Sequence, residues 1–139
     1  MTRQELNRMS GRVCGIANRL ATKGQDRRGA FVRAWRVVKA GAVELPVKGT
    51  SYGSRQEALR RLAGYAPDQV RAYLAPDQEN PADSQAIAVM VGVDGGRGFY
   101  RLGYVPREQT ALARAMQLPC PALRVIIGNI NGARISLVA

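Results

Sequence analysis

The sequence predicts a mainly β protein with helices (α+β): a small, antiparallel, six-stranded barrel of the OB or SH3-like kind with two short helices, preceded by a helical hairpin. Three observations lead there. The first forty residues repeat their apolar positions every three or four residues, a helical period. From Val43 the texture changes to short apolar runs bounded by Gly, Pro, Asn and Asp, without the alternating rhythm of βαβ units. Asp94-Gly95-Gly96 and Asn131-Gly132 carry the turn residues of antiparallel hairpins. The expected division is 1–41 for the hairpin and 42–139 for the barrel.

Residues 4–22 read as an amphipathic helix, with Leu6, Met9, Val13, Ile16, Ala17 and Leu20 on one face and Gly24 as its stop. Asp26 is the expected N-cap of a second helix to about Lys39, with Phe31, Trp35 and Val38 facing the core and Gly41 after its end. Residues 43–52 are extended, and Pro46 pushes them toward an edge or a bulge. Ser54-Arg55-Gln56-Glu57 has the form of a capping box and opens a short helix to Gly64. Residues 69–74 alternate as a half-buried strand; 86–93 form an apolar run, a central strand buried on both faces. Residues 99–105 return antiparallel. Pro106 suits the first position of a helix over 107–116. Residues 123–130 and 133–138 close the barrel as a hairpin over Asn131-Gly132.

The chain has 139 residues, 46% of them hydrophobic, enough for one core, and a net charge of +11. That balance points to nucleic acid or another anionic surface. The charge is concentrated: residues 1–40 carry +8, from ten bases against Glu5 and Asp26, and residues 41–139 carry +3. There is no His and no Cys-x-x-Cys, which excludes the common zinc sites and His-based general bases. Cys14 and Cys120 are expected as buried thiols in a reducing compartment. No apolar run approaches the length of about 20 residues that spans a membrane. The first residues lack the apolar core of a signal peptide. The expectation is a cytoplasmic protein, with nucleoid association as an option, and without membrane or cofactor.

Glu79-Asn80-Pro81-Ala82-Asp83-Ser84-Gln85-Ala86-Ile87-Ala88-Val89 runs a polar turn straight into a strand. Leu102-Gly103-Tyr104-Val105-Pro106-Arg107 ends a second strand on an aromatic, a proline and a base. Together they bring an amide, a carboxylate, a phenol and a guanidinium within reach of one another. With Gly49-Thr50-Ser51-Tyr52-Gly53-Ser54-Arg55, these two stretches resemble the HIRAN domain family over about residues 43–139. The resemblance implies a compact six-stranded barrel of the stand-alone bacterial or phage type. It implies a non-catalytic module that binds single-stranded DNA and captures its free 3′ end.

By that resemblance Arg55 stands where the family has a base after its first strand. Asn80 and Asp83 stand on the turn facing the terminal sugar, and Tyr104 and Arg107 on the strand end that contacts a phosphate and a base. One departure is plain: DNA-binding members have tandem aromatics just after the position of Arg55, where this chain has Gln56-Glu57. Tyr52 or Tyr73 would have to supply the stacking.

Each residue also has a purely structural reading. A carboxylate at Asp83 accepts hydrogen bonds only, so it suits a terminal 3′-hydroxyl, a donor, over an internal phosphodiester. It equally suits a turn cap on backbone amides. Arg55 would pair with a phosphate or sit solvated in a first helical turn. Arg107 sits against the helix dipole if it is only a first-turn residue. Tyr104 would stack on a base or close the edge of the core. Asp77, Glu79 and Asp83 share one loop, and hard cations accept carboxylate oxygens, so a metal-dependent nuclease accessory is a third alternative. The second is a protein-interaction adaptor. In the leading reading the basic hairpin adds sequence-independent phosphate contacts or docks a protein partner.

Overall fold

The computed structural model describes residues 2–22, 26–51, 53–96 and 98–138. Expectations for Gly24 and Tyr52 fall outside these residues. The fold is α+β, with six antiparallel strands and four α-helices among the described residues.

Helices α1 (Arg3–Thr22) and α2 (Arg27–Ala40) form the expected hairpin. Asp26 caps α2 by accepting from the Gly29 amide at 2.7 Å. Gly41 ends it at φ 79, donating to the Val37 and Val38 carbonyls, a left-handed stop that glycine adopts without Cβ strain. The buried face of α2 differs from the expected one. Ala30, Ala34, Val37 and Val38 are buried, whereas Phe31 and Val32 are exposed and Trp35 is half-buried against the core. Ala30 and Ala34 lie on this buried face, and small side chains there allow a neighbouring helix to come close. On α1, Val13, Ile16, Ala17 and Leu20 are buried, and Leu6 is exposed. Cys14 and Cys120 are exposed free thiols, not buried ones. Val13 occupies the core-facing position of α1, and Cys14, one residue on, turns toward solvent.

The strands form two three-stranded sheets instead of one closed barrel. One has the order β1 (Ala42–Pro46), β6 (Gly132–Val138), β5 (Ala122–Ile126). The other has the order β2 (Val70–Pro76), β3 (Ile87–Val93), β4 (Tyr100–Tyr104). Past Pro46 the chain makes one isolated bridge to the second sheet, Lys48 with Tyr104, with N···O distances of 2.8 and 2.9 Å. Gly103 permits it: a Cβ there would run into the Lys48 carbonyl and the Val47 side chain. β3 is the central strand expected, with Ile87, Val89 and Val91 fully buried. A register shift at Val89/Met90 bends its ladder with β4.

Three local expectations are corrected. Ser54 precedes α3 (Arg55–Leu62) in a helical conformation without a side-chain cap, and Glu57 pairs with Arg60 and Arg61 instead. Pro106 precedes a 3₁₀ turn, Arg107–Gln109, before α4 (Thr110–Ala115), and is not itself the first helical residue. The last hairpin does not turn on Asn131-Gly132 alone. Ile126 pairs with Gly132, and residues 127–131 form a five-residue loop.

One core joins the parts. Val13 and Leu20 of α1, Leu59 of α3, Val89 of β3, Leu112 of α4 and Ile135 of β6 belong to a single buried cluster. Two polar ties reinforce it. Arg19 of α1 donates to the Ala115 carbonyl, and Arg33 of α2 donates to Gln109 Oε1 at 2.6 Å. Arg19 and Arg33 therefore serve packing.

Candidate nucleic-acid interface

The turn between β2 and β3 is built by its own polar side chains. Asp77 and Ala86 close it, the Asp77 amide donating to the Ala86 carbonyl at 2.8 Å. Inside it, Asn80 Oδ1 accepts from the Ala82 and Asp83 amides at 2.9 and 3.2 Å. Asp83 Oδ1 accepts from the Gln85 amide at 2.9 Å. These are the Asx-type bonds that Asn-Pro and Asp favour in a turn. They hold two side chains in place without a partner from elsewhere.

That turn faces the end of β4 across an open pocket of about 380 Å³. Asn80, Asp83, Tyr104 and Arg107 all line it, so four of the seven expected site residues come together. Lys48 and Glu108 line it too. Asp83 uses one oxygen on the turn and presents the other, Oδ2, toward Arg107 Nε at 3.9 Å. That separation is too long for a hydrogen bond. The Asp83 side chain is 21% exposed and that of Arg107 is 82% exposed. The carboxylate is sheltered and held by the turn, and the guanidinium lies largely in solvent.

Tyr104 is fixed at its tip. Its hydroxyl donates to Asp77 Oδ2 at 3.0 Å, and the Arg101 guanidinium lies 5.3 Å from its ring centroid. Arg101 also approaches Asp77 Oδ2 at 3.8 Å. Asp77 thus faces the β4 side chains, and Asp83 faces the pocket. Among the described residues no three Asp, Glu, Cys or His side chains are grouped to hold a metal ion.

The remaining expected residues lie elsewhere. Arg55 donates to the Gly49 carbonyl at 2.5 Å and lines a neighbouring groove under α3. Tyr73 stands on β2 in edge-to-face contact with Phe99, centroids 4.9 Å apart, and does not line the pocket. Tyr52 falls outside the described residues. Gln56 turns inward. Its Nε2 donates to the Thr50 and Asn131 carbonyls at 2.8 and 2.7 Å, and its Oε1 accepts from the Asn131 amide at 2.8 Å. Lys48 is the residue that sequence reasoning missed. Gly103 was the available signal, since a strand glycine marks a place where another backbone comes close.

The HIRAN domain profile matches residues 40–126, more than half of the chain. The protein belongs to the HIRAN domain family. HIRAN domains are generally nucleic-acid-binding domains. The match runs from the last residue of α2 through β5, so β6 and most of the helical hairpin lie beyond it. No curated protein and no solved structure gives a match. Among the described residues, no helix is long and apolar enough to cross a membrane.

Proposed function

We propose that this HIRAN domain is a non-catalytic module that binds single-stranded DNA and receives its free 3′ end in the pocket between the β2–β3 turn and the end of β4. The observation that carries the reading is the placement of Asp83: one oxygen is tied to the turn and the other faces a pocket rimmed by Lys48 and Arg107. A terminal 3′-hydroxyl donates a hydrogen bond to that oxygen. The two bases supply charge for the phosphate next to it. The internal phosphodiester of an uninterrupted strand offers that carboxylate no donor and brings negative charge.

The test compares one oligonucleotide with a 3′-hydroxyl, the same strand with a 3′-phosphate, and a circular single strand at one ionic strength. The 3′-hydroxyl form is expected to bind about ten- to a hundredfold more tightly, the worth of a hydrogen bond to a charged acceptor. Asp83→Asn keeps a turn-capping oxygen but removes the charge, and is expected to reduce the preference. Equal affinity for all three DNAs refutes end recognition. The adaptor reading draws on Ile126, Ile127 and Ile130, which are 43, 56 and 71% exposed around the β5–β6 loop. Equal affinities together with no salt dependence would favour it.

A further inference from the structure

A second concavity lies beside the first, under α3. It is an open groove of about 380 Å³ whose floor is apolar, with Leu62 of α3 and Val93 of β3, and whose walls carry Tyr65 and Tyr100. Both tyrosines are exposed large aromatics, at 45% and 40%. Arg55, Arg61 and Arg101 rim it. Among the described residues Glu57 is the one acid on the rim, and it pairs with Arg60 and Arg61 at 3.7 and 3.8 Å, leaving the groove an excess of positive charge. Tyr65 and Arg61 are close enough to Tyr100 to act on its ionisation: burial pushes its hydroxyl up, Arg61 opposes this, and Tyr65 adds to it.

The groove and the first pocket share a wall. Arg101 lines the groove and covers the ring of Tyr104, which lines the pocket. Arg55 lines the groove and holds the Gly49 carbonyl, next to Lys48 of the pocket. A chain of alternating flat apolar and anionic units, seated at its end in the pocket, meets aromatic faces and guanidinium groups one step further on. Single-stranded DNA has that chemistry; duplex DNA hides its base faces.

The geometry points to this groove as a base-stacking subsite, in which Tyr65 and Tyr100 take an unpaired nucleobase close to the 3′ end and Arg55, Arg61 and Arg101 take the adjoining phosphates. This rests on the proposed strand-binding function and places its stacking contacts on Tyr65 and Tyr100.

The test is an abasic scan with the full chain, read by fluorescence anisotropy. A short 3′-hydroxyl strand is changed to an abasic site at one position at a time. Wild type is expected to lose affinity at one or two adjacent positions near the 3′ end. Tyr65→Leu is expected to weaken binding of the intact strand by about five- to a hundredfold, the worth of one base–aromatic stack, and to flatten the scan. Tyr65→Phe is expected to restore both. Tyr100→Leu should behave as Tyr65→Leu does; Tyr65, being the more exposed, is the less open to a folding defect. The preference for 3′-hydroxyl over 3′-phosphate should survive in each. A flat scan in wild type, or a folded Tyr65→Leu that binds normally, overturns the subsite even where end preference is found. A Tyr65-dependent scan without end preference sustains the groove and refutes end recognition.

Discussion

Replacing Gln56 by Ala tests whether its clasp on Asn131 holds the β5–β6 loop to α3. The Gln56 side chain makes three hydrogen bonds, all to main-chain groups: to the Thr50 carbonyl and to both the carbonyl and the amide of Asn131. Thr50 and Asn131 are only 8% and 6% exposed, so water does not readily replace the missing partners. A buried polar group left unpaired costs about 1–3 kcal/mol, and a water entering the vacated space recovers part of that. The expected net loss is about 2–4 kcal/mol. For a domain of this size each kcal/mol moves the melting temperature by roughly 3–6 °C, so Tm should fall by about 10 °C. Circular dichroism with heat and with urea reads this, and the urea midpoint should drop without a change in slope. Gln56→Glu should be at least as damaging, because it sets a carboxylate against two carbonyl oxygens. Gln56 lines neither the pocket nor the groove, so DNA binding measured well below the transition should be unchanged. A Tm shift of less than about 3 °C, below even one such group, would refute the clasp as a structural tie.

Two further outcomes follow from the charges. The Arg134 and Arg124 guanidinium groups, at 2.7 and 2.6 Å, hold the Glu44 carboxyl below its usual range. A depressed folded value means that the stability contributed is present above the unfolded carboxylate range and disappears as pH falls through the folded value. Glu44→Gln should therefore lower stability slightly at neutral pH and leave it unchanged at low pH, so that the acid limb becomes slightly shallower, a small effect because exposed pairs contribute little. An unchanged acid limb would mean the pairs do not persist in solution. On the helical hairpin, replacing exposed Arg8, Arg28 and Arg36 by Gln should lower the log–log salt slope of single-strand binding by about 0.7 for each phosphate that the hairpin no longer neutralises. An unchanged slope would assign the hairpin to packing or to a protein partner.

Local chemistry made much of this molecule legible. Asp26 and Gly41 bound α2 because an N-cap oxygen and a left-handed glycine act within a few residues. The β2–β3 turn was readable because Asn80 and Asp83 bond amides two or three residues away. The grouping of Asn80, Asp83, Tyr104 and Arg107 was legible from the resemblance, which carried non-local information that spacing alone lacks.

Tertiary packing decided the rest. The sequence by itself determined which segments are helix and strand, since periodicity and turn chemistry are local. It did not determine that β6 would lie between β1 and β5, because ladder bonds join backbones that are alike everywhere along the chain. It did not determine which face of α2 is buried: small residues at 30 and 34 win the contact because they let a second helix come close. Gln56 was unreadable as an internal clasp, since its partner lies 75 residues away. Lys48 entered the pocket, and Arg55 and Arg101 its neighbouring groove, only when the bridge from Lys48 to Tyr104 brought the two sheets together, a backbone approach that the missing Cβ of Gly103 allows.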